Sequence, residues 1–158
     1  YFVPRKNYFL GRWIKHCGWF PDYRQPQLFR KSRLRYREEL VHESFDLDGK
    51  IGYLTAAALQ YPFRDIDHYL AKQERYSDLM ARRMVEQGRP FSWHQLVSHP
   101  CFTFLKMYVG RKGCLDGVPG LILSGLYAYY TFIKYARFWE LRSRVLPEGS
   151  QAAPVKQG

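Results

Sequence analysis

The clearest periodicity in the sequence runs from Asp65 to Pro90. Ile66, Tyr69/Leu70, Gln73, Tyr76, Met80 and Met84 recur every 3.6 residues, while Lys72, Arg75, Arg82 and Arg83 fall elsewhere on the wheel. Asp65 suits the N-cap, and Asp67 lies in the first turn, where the helix dipole favours a carboxylate. Gly88 and Pro90 supply the stop. This pattern predicts one long amphipathic helix. Before it, apolar runs are short and punctuated. Tyr1–Pro4 predicts a strand, with Arg5-Lys6-Asn7 as its polar exit. Tyr8 to Trp19 predicts a loop or a short helix around Trp13-Ile14, and Pro21-Asp22-Tyr23 a turn. Gln27–Arg30 and Leu40–Phe45 predict strands. Asp46–Lys50 predicts a hairpin-like turn, and Ile51–Leu54 a returning strand that Ala56–Gln60 continues.

After the long helix, Ser92–Val97 predicts a helical turn that Pro100 breaks. Phe102–Val109 predicts an aromatic-rich helix ending at Gly110-Arg111-Lys112-Gly113. Val118–Ile133 is 16 residues without a formal charge. A spanning helix needs about 20 residues, and this one carries Pro119, Gly120, Ser124 and Gly125. It suits a helix lying in the membrane interface, with Tyr127, Tyr129, Tyr130, Tyr135 and Trp139 at headgroup depth, or an ordinary core helix. The order of elements is α/β: short strands of a mixed sheet, then C-terminal amphipathic helices. It divides into residues 1–62, a helical region 63–146, and a polar tail 147–158 expected to be disordered.

Composition adds a positive field. The chain of 158 residues is 46% hydrophobic, enough for a sizeable core, and carries a net charge of +11. Residues 1–50 hold 11 Lys/Arg against 6 Asp/Glu; residues 51–98 hold 6 against 5; residues 99–146 hold 7 against 2. The charge at both ends favours phosphate-bearing partners or an anionic membrane surface. Cys17, Cys101 and Cys114 are odd in number and lack C-x-x-C spacing, which points to reduced thiols in a cytoplasmic setting. Residues 1–20 have no continuous apolar core. The start at Tyr1 leads us to expect the C-terminal part of something longer.

Candidate chemistry centres on Val41-His42-Glu43. A carboxylate or imidazole at a strand end can take a proton. His42 and Glu43 are adjacent and point to opposite faces of a strand, so one of them faces a pocket or both decorate a surface. The run Arg30–Arg37 either neutralises phosphates or forms a solvated loop. Trp13, Lys15, Trp19, Tyr23 and Arg24 either stack on sugars or bases or anchor the core. Asp46-x-Asp48 has the form of a metal motif but is accounted for by the Asp-Gly turn. His94 and His99 are poorly spaced for a metal site. There is no P-loop, G-x-G-x-x-G or G-x-S-x-G.

The pieces also form an ordered series: Pro4-Arg5-Lys6-Asn7-Tyr8, Gly11-Arg12-Trp13, Gly18-Trp19-Phe20-Pro21-Asp22-Tyr23, Gln27-Leu28-Phe29-Arg30, Val41-His42-Glu43 and Asp48-Gly49-Lys50-Ile51-Gly52-Tyr53-Leu54. It continues through Arg64-Asp65-Ile66, Tyr69–Lys72, Arg75-Tyr76 and Gly113-Cys114-Leu115-Asp116-Gly117 with Pro119-Gly120. Over about residues 1–140 this series resembles the C-terminal half of family 2 glycosyltransferases, and it is similar to those of bacterial lipopolysaccharide cores.

The resemblance implies a partial GT-A fold, inverting transfer from a nucleotide sugar to a glycolipid or saccharide acceptor, and Glu43 as the base with His42 auxiliary. It places Trp19, Asp22, Tyr23 and Arg30 on the substrate. It implies a divalent metal, Mg or Mn, held mostly by residues outside this chain, with no metal ligand assigned within it. It also implies a cytoplasmic enzyme peripheral to the inner membrane, with no nucleic acid as partner. A piece without the donor half is expected to be inactive. Two positions depart from the family pattern: Gln27, where Arg usually precedes Leu-Phe-Arg, and Gln60, where a His is frequent. The competing reading is a non-catalytic basic module that binds anionic membrane or nucleic acid.

Overall fold

A computed structural model describes residues 1–23, 26–36 and 45–149. It shows an α/β protein with a small mixed sheet, a separate two-stranded ribbon and three helices. The sheet order is β2-β1-β5. Strand β1 (Arg5–Phe9) pairs antiparallel with β2 (Arg12–Trp13), and parallel with β5 (Ala58–Gln60) with Asn7 opposite Gln60. The ribbon joins β3 (Leu34–Tyr36) to β4 (Phe45–Leu47).

Strand β1 occupies the segment expected to be a polar exit, and Tyr1–Pro4 contributes only an isolated bridge from Phe2 to Tyr53. The reason lies in period two. Arg5, Asn7 and Phe9 alternate onto one face: the first two find polar partners there, and Phe9 enters the core. A tight turn through Leu10 (φ 48°) and Gly11 (φ 75°) links β1 to β2, where a loop or short helix was expected. Positive φ at both central residues matches a two-residue hairpin, although leucine is an unusual first residue for one. Gln27–Arg30 is irregular, and the Gln27 and Leu28 amides both donate to the Tyr1 carbonyl, at 3.1 and 3.3 Å. Asp46 lies within β4 rather than in a hairpin turn. Ile51–Leu54 forms no strand, whereas part of Ala56–Gln60 does.

Helix α1 (Ile66–Glu86) begins and ends where the sequence predicts. The Asp65 carboxylate accepts from the His68 amide at 2.7 Å. At the other end Arg89 N–H donates to Met84 O, and Gly88 N–H, with φ 61° at Gly88, donates to Val85 O. That pair of bonds is a Schellman motif. The buried face is Tyr69, Ser77, Ala81 and Met84, so small residues, not Tyr76, let α3 approach.

Helix α2 (Gln95–Leu105) runs through Pro100 instead of breaking there. Before it, the Ser92 amide donates to Gln95 Oε1 at 3.3 Å, and the Gln95 amide donates to Ser92 O at 3.0 Å. Pro100 removes one ladder bond. Packing on α3 offsets that loss through the His99–Tyr135 ring stack at 4.6 Å and a Thr131–Thr103 hydroxyl bond at 3.3 Å. A π turn over Lys106–Gly110 and a 3-10 turn over Gly113–Asp116 lead into α3 (Gly117–Gly149). Pro119 falls in the first turn of α3, where a missing amide costs little. Residues 147–149 belong to this helix, and the rest of the expected tail lies outside the described residues. No helix among the described residues is long and apolar enough to cross a membrane.

One core joins sheet and helices: Phe9, Ile14, Cys17 and Trp19 meet Phe63, Tyr69, Met107 and Leu123. A second, smaller cluster packs Ala81 and Met84 against Phe138. Of the aromatics expected at headgroup depth, Tyr127 packs into the first core and Tyr135 against the second, while Tyr129 and Trp139 face outward. Helix α3 is therefore a core helix with one buried side.

The buried Asp116 carboxylate ties the loop after β2 to the start of α3. It accepts from the backbone amides of Lys15 (3.2 Å) and His16 (2.9 Å), and His16 Nδ1 lies 2.9 Å away. Cys17 N–H donates to Arg111 O at 3.0 Å beside it. Gly113 and Gly120 allow the approach, since a Cβ on Gly120 would lie 2.1 Å from Gly113 O. Replacing Asp116 with Ala leaves two part-buried amides without their acceptor. Asp116→Ala is expected to destabilise the chain by roughly 3 kcal/mol in urea unfolding.

Candidate functional site

The predicted base segment, His42 and Glu43, lies outside the described residues, as do Arg24 and Arg37. The candidate residues that are described gather around β1 and the turn at residues 21–23. Strand β1 carries Arg5 and Asn7 on its inward face towards the turn at Pro21-Asp22, where the Phe20–Pro21 bond is cis and Asp22 has φ 51°. Asn7 Nδ2 donates to Asp22 Oδ2 at 3.1 Å and to Trp19 O at 2.9 Å. Arg5 Nε donates to Asp22 O at 3.2 Å and lies 3.4 Å from Asp22 Oδ2. Arg5 N–H also donates to Pro21 O at 2.9 Å. The Asp22 carboxylate is thus nearly buried, charge-compensated and fixed in direction.

Next to it, Phe2, Tyr23, Tyr53 and Phe45 form an aromatic group. Phe2 stacks on Tyr53 at 5.4 Å, Tyr23 meets Tyr53 edge-on at 5.1 Å, and Phe45 lies 6.3 Å from Phe2. Tyr53 and Tyr23 stay exposed enough to present ring faces and hydroxyls to a ligand. Residues 51 and 52 then line an open cavity of about 580 Å³, with Arg30, Arg33, Lys50 and Asp48 on its walls. Arg33 pairs with Asp48 at 3.2 Å, both well exposed, so the cavity offers net positive charge to an anionic group. Another cavity, about 780 Å³, lies between α1 and α3. It is mainly apolar and carries the Arg137–Glu74 pair at 3.2 Å.

The four expected substrate residues therefore have different positions. Asp22 and Tyr23 meet at one place. Arg30 lies in the neighbouring cavity. Trp19 sits in the core, packed among Phe9, Phe63 and Tyr127. Its carbonyl supports Asn7. Arg5, Asn7, Phe2 and Tyr53 are the residues that sequence reasoning missed. Period-two alternation from Arg5 to Phe9 was the available signal for the first two. Gln60, opposite Asn7 in the sheet, has a buried Oε1 without a hydrogen-bond partner.

Other titratable groups fit structural roles. Burial, with the Asp116 charge adding to it against a Ser124 hydrogen bond, pushes the Cys17 thiol up to about 11, which makes it a poor nucleophile. Burial likewise raises Tyr130 and lowers Lys134, the latter helped by Arg89. The described cysteines are free thiols. Among the described residues no three His, Cys, Asp or Glu side chains come together, so these residues do not by themselves fit a metal centre.

The placement predicts a contrast between two sites. Asp22→Ala removes the acceptor of a buried amide and should lower stability by roughly 2 kcal/mol. Arg30→Ala, at an exposed position, should stay within about 0.5 kcal/mol of the parent chain in the same urea titration.

No family model matches the sequence, and no solved structure matches it. Curated proteins do. The chain is 28% identical over 145 residues to the lipopolysaccharide core biosynthesis glycosyltransferase LpsC of Rhizobium meliloti, an alignment covering 87% of this chain and 52% of that protein. It is 30% identical over 102 residues to an uncharacterized glycosyltransferase of Rickettsia typhi, covering 65% of this chain and 35% of that protein. A Rickettsia conorii glycosyltransferase is 28% identical over 101 residues, with 64% and 36% covered. The chain thus spans about half, or less, of the length of these relatives. The resemblance to glycosyltransferases, one of them in lipopolysaccharide core biosynthesis, is borne out by these curated homologues.

Proposed function

We propose that this chain forms the acceptor side of an inverting GT-A glycosyltransferase of family 2. The donor is a nucleotide sugar, and the acceptor is a glycolipid or saccharide of the lipopolysaccharide-core type at the cytoplasmic face of the inner membrane. Residues 1–62 receive the acceptor and residues 63–146 hold the enzyme at the membrane. One observation carries the reading. The segments in which the resemblance is written are hydrogen-bonded to one another across long stretches of chain: Asn7 to Asp22, and Lys15-His16 to Asp116.

In this reading Glu43 takes the proton from the acceptor hydroxyl as its oxygen attacks the anomeric carbon. The new C–O bond forms as the bond to the diphosphate breaks, and the nucleoside diphosphate leaves with the electron pair. Asp22, held by Arg5 and Asn7, accepts a hydrogen bond from a sugar hydroxyl. Tyr23 and Tyr53 pack against a sugar ring, and Arg30 with Lys50 receives an anionic group. A divalent metal is assigned to residues outside this chain, and the reaction proposed for this chain's residues includes no step at a metal.

The test is Glu43→Gln in the enzyme at its full natural length. Transfer to a soluble saccharide acceptor should fall about a hundred- to ten-thousand-fold, with the circular dichroism spectrum unchanged. Turnover close to that of the parent enzyme would reject Glu43 as the base.

A further inference from the structure

Helix α2 and the π turn after it present an apolar surface that the core does not use, and it is not the face of α3. Along the outward arc of α2 and its π turn, Val97, Phe102, Leu105 and Val109 are each more than half exposed, with Cys101 between them. Trp93, the most exposed tryptophan at 75%, stands where this helix starts. The opposite arc packs inward through Thr103, Phe104 and Met107. A soluble monomer seldom leaves so many large apolar side chains on one short helix without an occupant.

Charge identifies that occupant. From Gln87 to Trp139 the sequence contains a single acidic residue, Asp116, and its carboxylate is buried on Lys15 and His16. The exposed surface of this stretch therefore carries no carboxylate: it is apolar, neutral polar and cationic. Lys106 lies over the Phe102 ring at 5.8 Å, and Arg111 and Lys112 follow in the exposed corner. Apolar side chains bordered by Lys and Arg, with a Trp at the margin, match the boundary between headgroups and acyl chains of an anionic bilayer. A second copy of the same face would bring like charges together without acids to pair them.

We propose that α2, through Val97, Phe102, Leu105 and Val109 with Lys106, Arg111 and Lys112 at its border, seats this protein on anionic lipid. The seat extends the membrane part of the proposed function by naming the element that enters the lipid. It fails separately from that reading, because transfer to a soluble saccharide tests the enzyme, whereas vesicle binding tests the helix.

The experiment is co-sedimentation of the full chain with vesicles of phosphatidylcholine containing phosphatidylglycerol, and with phosphatidylcholine alone. The parent chain should bind the anionic vesicles. Leu105→Glu should weaken binding by about tenfold, and Lys106→Glu should also weaken it, while Phe132→Glu on the outward side of α3 should bind as the parent does. In a Cys114→Ser chain, an environment-sensitive fluorophore on Cys101 should shift to the blue when anionic vesicles are added. Circular dichroism of each variant checks folding. Three outcomes overturn the proposal: binding that Leu105→Glu leaves unchanged, equal loss in Phe132→Glu, or a dimer in solution that Leu105→Glu dissociates.

Discussion

Asp116 brings a carboxylate into an interior otherwise built of Phe, Trp, Tyr and Leu. Its burial is tolerated because a loop one hundred residues earlier supplies two backbone amides and an imidazole nitrogen. Hydrogen bonds to a charge in such surroundings are stronger than neutral ones, and the amides would otherwise be stranded. The clamp sets the position of His16 and Cys17, hence of Trp19 in the shared core. The Trp19 carbonyl then holds Asn7, and Asn7 holds Asp22. A chain of direct contacts thus runs from the 3-10 turn before α3 to the carboxylate at the candidate site.

Glycine placement makes this clamp possible. Gly113, Gly117 and Gly120 occur within one short corner, and a side chain on Gly113 would meet Cys17 Sγ at 2.6 Å and Met107 O at 2.8 Å. A sequence reader sees the same glycines as breakers that shorten a helix. In the folded chain they are points of close approach, and α3, 33 residues long, starts at Gly117 and continues past Gly120.

Helix α1 was legible because its signals are local: a side-chain cap, a 3.6 period and a glycine stop all act within a few residues of one another. The general class was legible too, and so was the ordered series of motifs shared with glycosyltransferases. Strand β1 was not, because Arg5-Lys6-Asn7 becomes a strand only through partners supplied at Asp22 and Gln60. Continuation of α2 through Pro100 depends on α3, which no local rule registers. The choice between Trp19 as ligand platform and Trp19 as core anchor turned on Phe63 and Tyr127, distant in sequence. At the candidate site, Asp22 and Tyr23 belong to the ordered motif series visible in the sequence, whereas Arg5 and Asn7 need the sheet to bring them beside Asp22. The exposed stripe of α2 was hidden for a similar reason: apolar residues reveal themselves as unpartnered only once the core has been filled by others.

Asp116 pins the loop after β2 to the corner before α3, and Ile14 and Cys17 carry that loop into the core between sheet and helices. Native-state hydrogen exchange at the Lys15 and His16 amides tests it directly. If Asp116 holds them, both should exchange only with global unfolding, at the same free energy as the Leu123 and Ser124 amides inside α3. Fast exchange at Lys15 and His16 while Leu123 and Ser124 remain protected would contradict the account.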